Sequence, residues 1–174
     1  ALHAAQRVRR NVGKQFSPGG RADLVIDYRQ GFAFLRQAQQ LRDAGIPLAA
    51  QFLIYPAVDH ADASHPSIEQ NGKGYFLEAE TMAWFYNHYA GGFGDTLDPR
   101  LAPLQAKSLT DLPPAVVVTA EFDPLRDAAI AYVAALNAAA GQAEHIPGPG
   151  MIHGFYDMGR WSPGAQAVIQ QGIK

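Results

Sequence analysis

Asp123 and His153 stand thirty residues apart, and each follows a stretch that reads as a β-strand. In open parallel sheets the ligand crevice lies beyond the carboxyl ends of the strands, so residues at these two positions are placed for chemistry. A carboxylate bound to one imidazole nitrogen fixes the tautomer and stabilises the imidazolium. The other nitrogen is then free to act as general base for a nucleophile. Plainer readings stand beside this one. Asp123 precedes Pro124 and reads equally as the N-cap of a helix. His153 is a lone histidine, but it sits in the Gly- and Pro-rich stretch Gly148-Pro149-Gly150-Met151-Ile152-His153-Gly154-Phe155, with apolar neighbours that shield an imidazole. A second cluster, Asp59, His60, Asp62 and His65, has metal-ligand residue types in a turn-rich segment. Its histidines are five apart, a spacing that fits a solvated surface at least as well as a metal site.

The elements that must position these residues alternate. Leu2, Ala5, Val8 and Val12 fall at helical spacing before Gly13, and Asp23 to Ile26 reads as a short buried strand. Apolar positions return to helical period from Phe32 to Ala44, and a second strand spans Ala50 to Tyr55. The region from about 57 to 107 is long for a connection and carries one amphipathic helix, Glu78 to Tyr89. Its length marks it as a lid-like or substrate-binding insertion. Ala115 to Ala120 is β-branched and apolar on both faces, as in a strand buried within a parallel sheet. An Ala-rich helix over Arg126 to Ala140, a short strand over Ala143 to Ile146, a loop over Pro147 to Gly154 and a last helix over Pro163 to Gln171 complete the order. This alternation predicts an α/β fold, a mainly parallel sheet with flanking helices, in a single domain over residues 1–174.

Composition narrows the function classes. The chain has 174 residues, 48% hydrophobic and 17% charged, enough for one globular core. A net charge of -2, with basic residues scattered apart from Arg7, Arg9 and Arg10, argues against nucleic acid as a partner. With no cysteine, disulfides, thiolate nucleophiles and cysteine-ligated zinc are excluded. No run approaches the ~20 apolar residues of a membrane span, and the expected location is cytoplasmic.

Several separated segments carry a resemblance. Gln51-Phe52-Leu53-Ile54-Tyr55-Pro56, Gly74-Tyr75-Phe76-Leu77 and Asp98-Pro99-Arg100-Leu101-Ala102-Pro103-Leu104 are joined by Leu112-Pro113-Pro114-Ala115, Asp123-Pro124-Leu125-Arg126-Asp127 and Pro149-Gly150-Met151-Ile152-His153-Gly154-Phe155. In this order they resemble the C-terminal half of the hormone-sensitive lipase family of α/β-hydrolases, whose members are carboxylesterases and lipases. The acid-before-histidine order also fits the Ser, Asp, His chain order of that fold. The resemblance implies that Asp123 is the triad acid and His153 the general base, that the partner is a small-molecule ester, and that no cofactor is needed. By adjacency, Leu125, Ile152 and Phe155 are expected near the substrate, with Tyr75 and Phe76 from the insertion.

The family's nucleophile elbow reads Gly-Asp-Ser-Ala-Gly-Gly, and this chain has Ile26-Asp27-Tyr28-Arg29-Gln30-Gly31 in the corresponding strand-to-helix turn. Tyr28 thus occupies the position of the serine. A phenol of pKa ~10 is a poor nucleophile at neutral pH, and the elbow needs small neighbours where Ile26 and Gln30 stand. The family's His-Gly-Gly-Gly oxyanion segment is absent from these residues. The expectation is that this chain is one part of a longer hydrolase, covered by the N-terminal half or by self-association. An alternative is a catalytically inactive binding or interaction protein on the same fold.

Overall fold

A computed structural model of the chain describes residues 35–60, 62–90 and 101–172. The helix expected near the N-terminus, the strand over Asp23 to Ile26 and the elbow at Tyr28 lie outside the described residues. Helix α1 (Leu35–Asp43) is followed by β1 (Gln51–Ile54), α2 (Pro66–Asn71), α3 (Ala79–Ala90), a 3₁₀ turn (Pro103–Gln105), β2 (Ala115–Phe122), α4 (Arg126–Ala138), β3 (Ala143–Ile152), a second 3₁₀ turn (Phe155–Met158) and α5 (Pro163–Gly172). The described strands form a parallel sheet in the order β1-β2-β3.

Apolar residues on both faces of the strands give the sheet two cores. Leu53 and Val117 point to one face, where they pack with Ala128, Ala129, Tyr132, Val133 and Leu136 of α4 and with Ala38 of α1. Phe52, Ile54 and Val118 point to the other, against Phe155 and against Ala165 and Val168 of α5. This is why Val116-Val117-Val118 has no polar face: alternate residues feed opposite layers, and each layer is closed by a helix. The α/β class with flanking helices holds.

One boundary and one element differ from expectation. The segment from Pro147, expected as a loop, continues β3 to Ile152, with Thr119 opposite Pro147 and Ala120 opposite Gly148. Among the described residues β3 is an edge strand, where proline's missing N–H is tolerated. The insertion also holds α2, a helix of six residues too short to show a hydrophobic period, with Pro66 at its first turn.

His145, on β3, has Nε2 2.8 Å from the Thr119 hydroxyl, and burial holds its pKa below the usual histidine value of 6.5. The folded state therefore takes up its proton at lower pH than the unfolded state does. Stability is expected to fall as pH drops below about 6.5, and a His145→Gln variant should lose that part of the slope. Urea unfolding at pH 7.5 and 5.5 checks this, and equal slopes in parent and variant would refute it.

Candidate active site

The register of the sheet brings the acid and the histidine together. A bulge between Ala120 and Phe122 shifts the pairing of β2 with β3, and beyond it Phe122 lies opposite Ile152. Asp123 and His153 are the residues that follow their respective strands, so they leave the carboxyl end of the sheet side by side.

Asp123 is fully buried, and both its oxygens are used. Oδ2 lies 2.8 Å from His153 Nδ1, and Oδ1 accepts the Leu125 N–H at 2.9 Å. Helix α4 begins after Leu125, whose side chain makes no capping bond. Asp123 is therefore not the N-cap. It closes an Asx turn two residues long, and its main-chain carbonyl accepts the Arg126 N–H at 3.2 Å. A carboxylate accepts only, so Nδ1 of His153 carries the proton and Nε2 keeps its lone pair. The His153 side chain is 21% exposed.

Tyr55, the residue that follows β1, lays its ring against the imidazole, with centroids 4.3 Å apart and a 51° tilt. Its φ of +37° is unusual for a residue with a side chain. Sequence reasoning passed over Tyr55, although its place at the carboxyl end of a strand was a usable signal.

The other expected site residues separate into two groups. Tyr75 stacks face to face on Phe122 at 5.0 Å and 9°, next to the acid. Phe76 is 71% exposed, and its ring edge is 3.2 Å from where a Cβ on Gly154 would stand. The 57–107 region thus reaches over the histidine turn. Ile152 is partly exposed beside His153, and Leu125 is buried in the Asx turn. Phe155 corrects the expectation: at 1% exposure it packs against Tyr55 and Tyr156 in the core, leaving no surface for a ligand.

Gly154 has φ +84°, and only this left-handed turn lets the chain pass from His153 into the following 3₁₀ turn. Gly154→Ala is expected to cost about 1–2 kcal/mol from the backbone alone, with the Phe76 contact adding to it. Urea unfolding measures this, and a loss below about 0.3 kcal/mol would mean the turn relaxes freely.

The Asp59 cluster is satisfied internally. Its carboxylate binds His65 Nε2 at 2.9 Å and accepts bonds from the Gln105 amide and the His60 N–H, both at 3.0 Å. Burial alone would raise the Asp59 pKa, but the bonds from His65, Gln105 and His60 outweigh it and hold it below the usual value. Among the described residues no three His, Asp or Glu side chains converge as a metal site.

The arrangement of strand-end acid, histidine and parallel sheet coincides with a family match: a model described as the alpha/beta hydrolase fold covers residues 33–157. The chain belongs to the α/β-hydrolase fold family. It is 41% identical over 109 residues to ethyl acetate hydrolase of Pseudomonas putida, covering 63% of this chain and 34% of that protein. It is 35% identical over 156 residues to esterase LipI of Mycobacterium tuberculosis, covering 88% of this chain and 48% of that one. A solved serine-to-alanine mutant of an α/β hydrolase enzyme from the metagenome of Lake Arreo, Spain, matches with a TM-score of 0.80 and 34% identity, over 97% of this chain and 53% of its own. The α/β-hydrolase chain thus spans a third to a half of the curated relatives' length, and the carboxylesterase resemblance seen in its motifs agrees with their names. Among the described residues no helix is long and apolar enough to cross a membrane.

Proposed function

We propose that the complete protein is a carboxylic ester hydrolase of serine-triad type, acting on short to medium acyl esters, and that this chain contributes its acid, Asp123, and its general base, His153. The observation that carries the reading is the 2.8 Å bond from a fully buried carboxylate to His153 Nδ1, which leaves Nε2 as the proton acceptor. In the first half-reaction Nε2 takes the proton of the attacking hydroxyl, and Asp123 stabilises the imidazolium that forms. The same proton then passes to the leaving alkoxide. Water repeats the sequence on the acyl intermediate.

The region over 57–107 acts as a lid-like substrate-binding element, with Tyr75 and Phe76 as an apolar wall and Ile152 and Leu125 at the floor. The exposure of Phe76 at 71% and the nearness of its ring to Gly154 support this. The upstream half of the hydrolase domain would supply the oxyanion donors and cover the remaining apolar surface.

Tyr28 at the nucleophile position favours a second reading, a hydrolase-fold binding protein without turnover. Hydrolysis of p-nitrophenyl acetate and butyrate by the complete gene product, and by its Tyr28→Ser variant, separates the two. Hydrolysis by the unaltered product that needs His153 supports the esterase. Activity that appears only with Tyr28→Ser supports the binding protein. No His153-dependent hydrolysis in either overturns the assignment of the base.

A further inference from the structure

We propose that Ser67, Asn71 and Asp127 are positioning residues that hold the turn carrying Asp123, so that seating of the insertion through α2 sets the aim of the acid at His153. This rests on reading Asp123 and His153 as the acid and base. Ser67 is fully buried and sixty residues from Asp127, yet the two are bonded reciprocally. The Ser67 N–H donates to Asp127 Oδ2 at 2.8 Å, and the Asp127 N–H donates to Ser67 Oγ at 3.1 Å. The Ser67 hydroxyl donates in turn to the Pro124 carbonyl at 2.8 Å. One helical turn further along, on the same face of α2, Asn71 Nδ2 lies 3.3 Å from the Glu121 carbonyl and 3.5 Å from that of Asp123.

Arg126 reinforces the clamp. Its guanidinium donates to Asp127 Oδ1 at 2.8 Å, to the Glu121 carbonyl at 3.0 Å and to Gln70 Oε1, on α2, at 2.9 Å. On the other side, Glu121 Oε2 accepts the Gly150 N–H at 2.6 Å and so ties the acid turn to the strand that leads to His153. Asp127 agrees with this role: burial alone would raise its pKa, but the Arg126 side chain and the Ser67 N–H outweigh it and keep it below the usual value.

The direction of these bonds carries the argument. A six-residue helix is too short to persist unaided and needs anchors somewhere. Among the described residues, the side-chain bonds of Ser67, Gln70 and Asn71 all end on residues 121–127, the segment that contains the acid, and none ends on β1 or β3. Polar groups buried this well are costly to leave unpaired, so the acid turn has one favoured position once α2 is seated. Misplacement of a reacting group by about 1 Å can cost about 100-fold in rate, so a clamp at this distance matters to turnover.

The test uses Ser67→Ala and, as a milder variant, Asn71→Ala in the full chain. Amide hydrogen exchange is followed at Leu125, whose N–H binds Asp123 Oδ1, and at Val117 and Val118 in the centre of β2. The low-field proton resonance of His153 Nδ1–H is followed in parallel. The expected result is exchange at Leu125 faster by about 10-fold or more, with Val117 and Val118 within about 2-fold of the parent and the His153 resonance broadened. Exchange at Leu125 unchanged in both variants, or rising only in step with Val117 and Val118, overturns the proposal, since α2 would then be anchored without aiming the acid. None of these readouts needs turnover, so absent ester hydrolysis would count against the proposed function and leave this inference standing. In an active complete protein the same variants should lower kcat by about 10-fold with KM within about 2-fold.

Discussion

His153→Ala in the complete, hydrolytically active protein is expected to lower kcat for p-nitrophenyl butyrate by about 10⁴-fold, with KM changed by no more than a few-fold. The imidazole has no substitute. Among the described residues His153 is the only histidine bonded to Asp123. Residual turnover would come from the oxyanion donors and from substrate binding, neither of which needs the imidazole. The substitution also removes the partner of a fully buried carboxylate, leaving it, among the described residues, the Leu125 N–H on the opposite oxygen. A loss of about 1–3 kcal/mol in unfolding free energy should therefore accompany the kinetic effect. Circular dichroism of the variant separates the two: a folded protein with the rate intact would remove His153 from the mechanism.

The legible part of the fold was the part that repeats. The continuous apolar run over Ala115 to Ala120 arises from burial on two faces and the spacing after Arg126 from helical period, so the pattern and the observed β2 and α4 agree to within two residues. The meeting of Asp123 and His153 was legible because strand ends mark the crevice and because the motifs around them resemble a known family. Local chemistry misled in two places. Pro147 and Pro149 read as loop, but an edge strand can hold prolines that a central strand cannot. Asp before Pro read as an N-cap, and the turn instead closes one step earlier, which is what frees Oδ2 for the imidazole. What no local pattern encodes is pairing over distance. The bonds of Ser67 to residues near 124 and 127 span almost sixty positions, and the ring of Tyr55 meets His153 only once β1, β2 and β3 are in register. Phe155, apolar and next to the site residues, read as a residue near the substrate, and its burial places it in the core instead.

Asp123→Asn should be nearly as damaging as loss of the histidine, although it changes almost no volume. The amide can be placed in two ways, and neither preserves the dyad. If its oxygen keeps the Leu125 N–H, the NH₂ group faces His153 Nδ1 and donates to it. Nδ1 then becomes the acceptor, the proton moves to Nε2, and the base cannot accept the nucleophile's proton. If the amide flips, its oxygen serves Nδ1, but NH₂ confronts the Leu125 N–H inside a site with no exposure. Two donors facing each other there cost about 1–3 kcal/mol, so this arrangement is disfavoured. The first placement should dominate, and kcat should fall by about 10⁴-fold while KM and the fold stay close to the parent. Asp123→Ala distinguishes a tautomer effect from a packing effect. It leaves a cavity and removes the Asx turn, so it should lower thermal stability as well as rate, whereas Asp123→Asn lowers the rate with stability largely kept. A kcat for Asp123→Asn within about 10-fold of the parent would show that His153 is oriented by something other than this carboxylate, with the tilted ring of Tyr55 the first candidate.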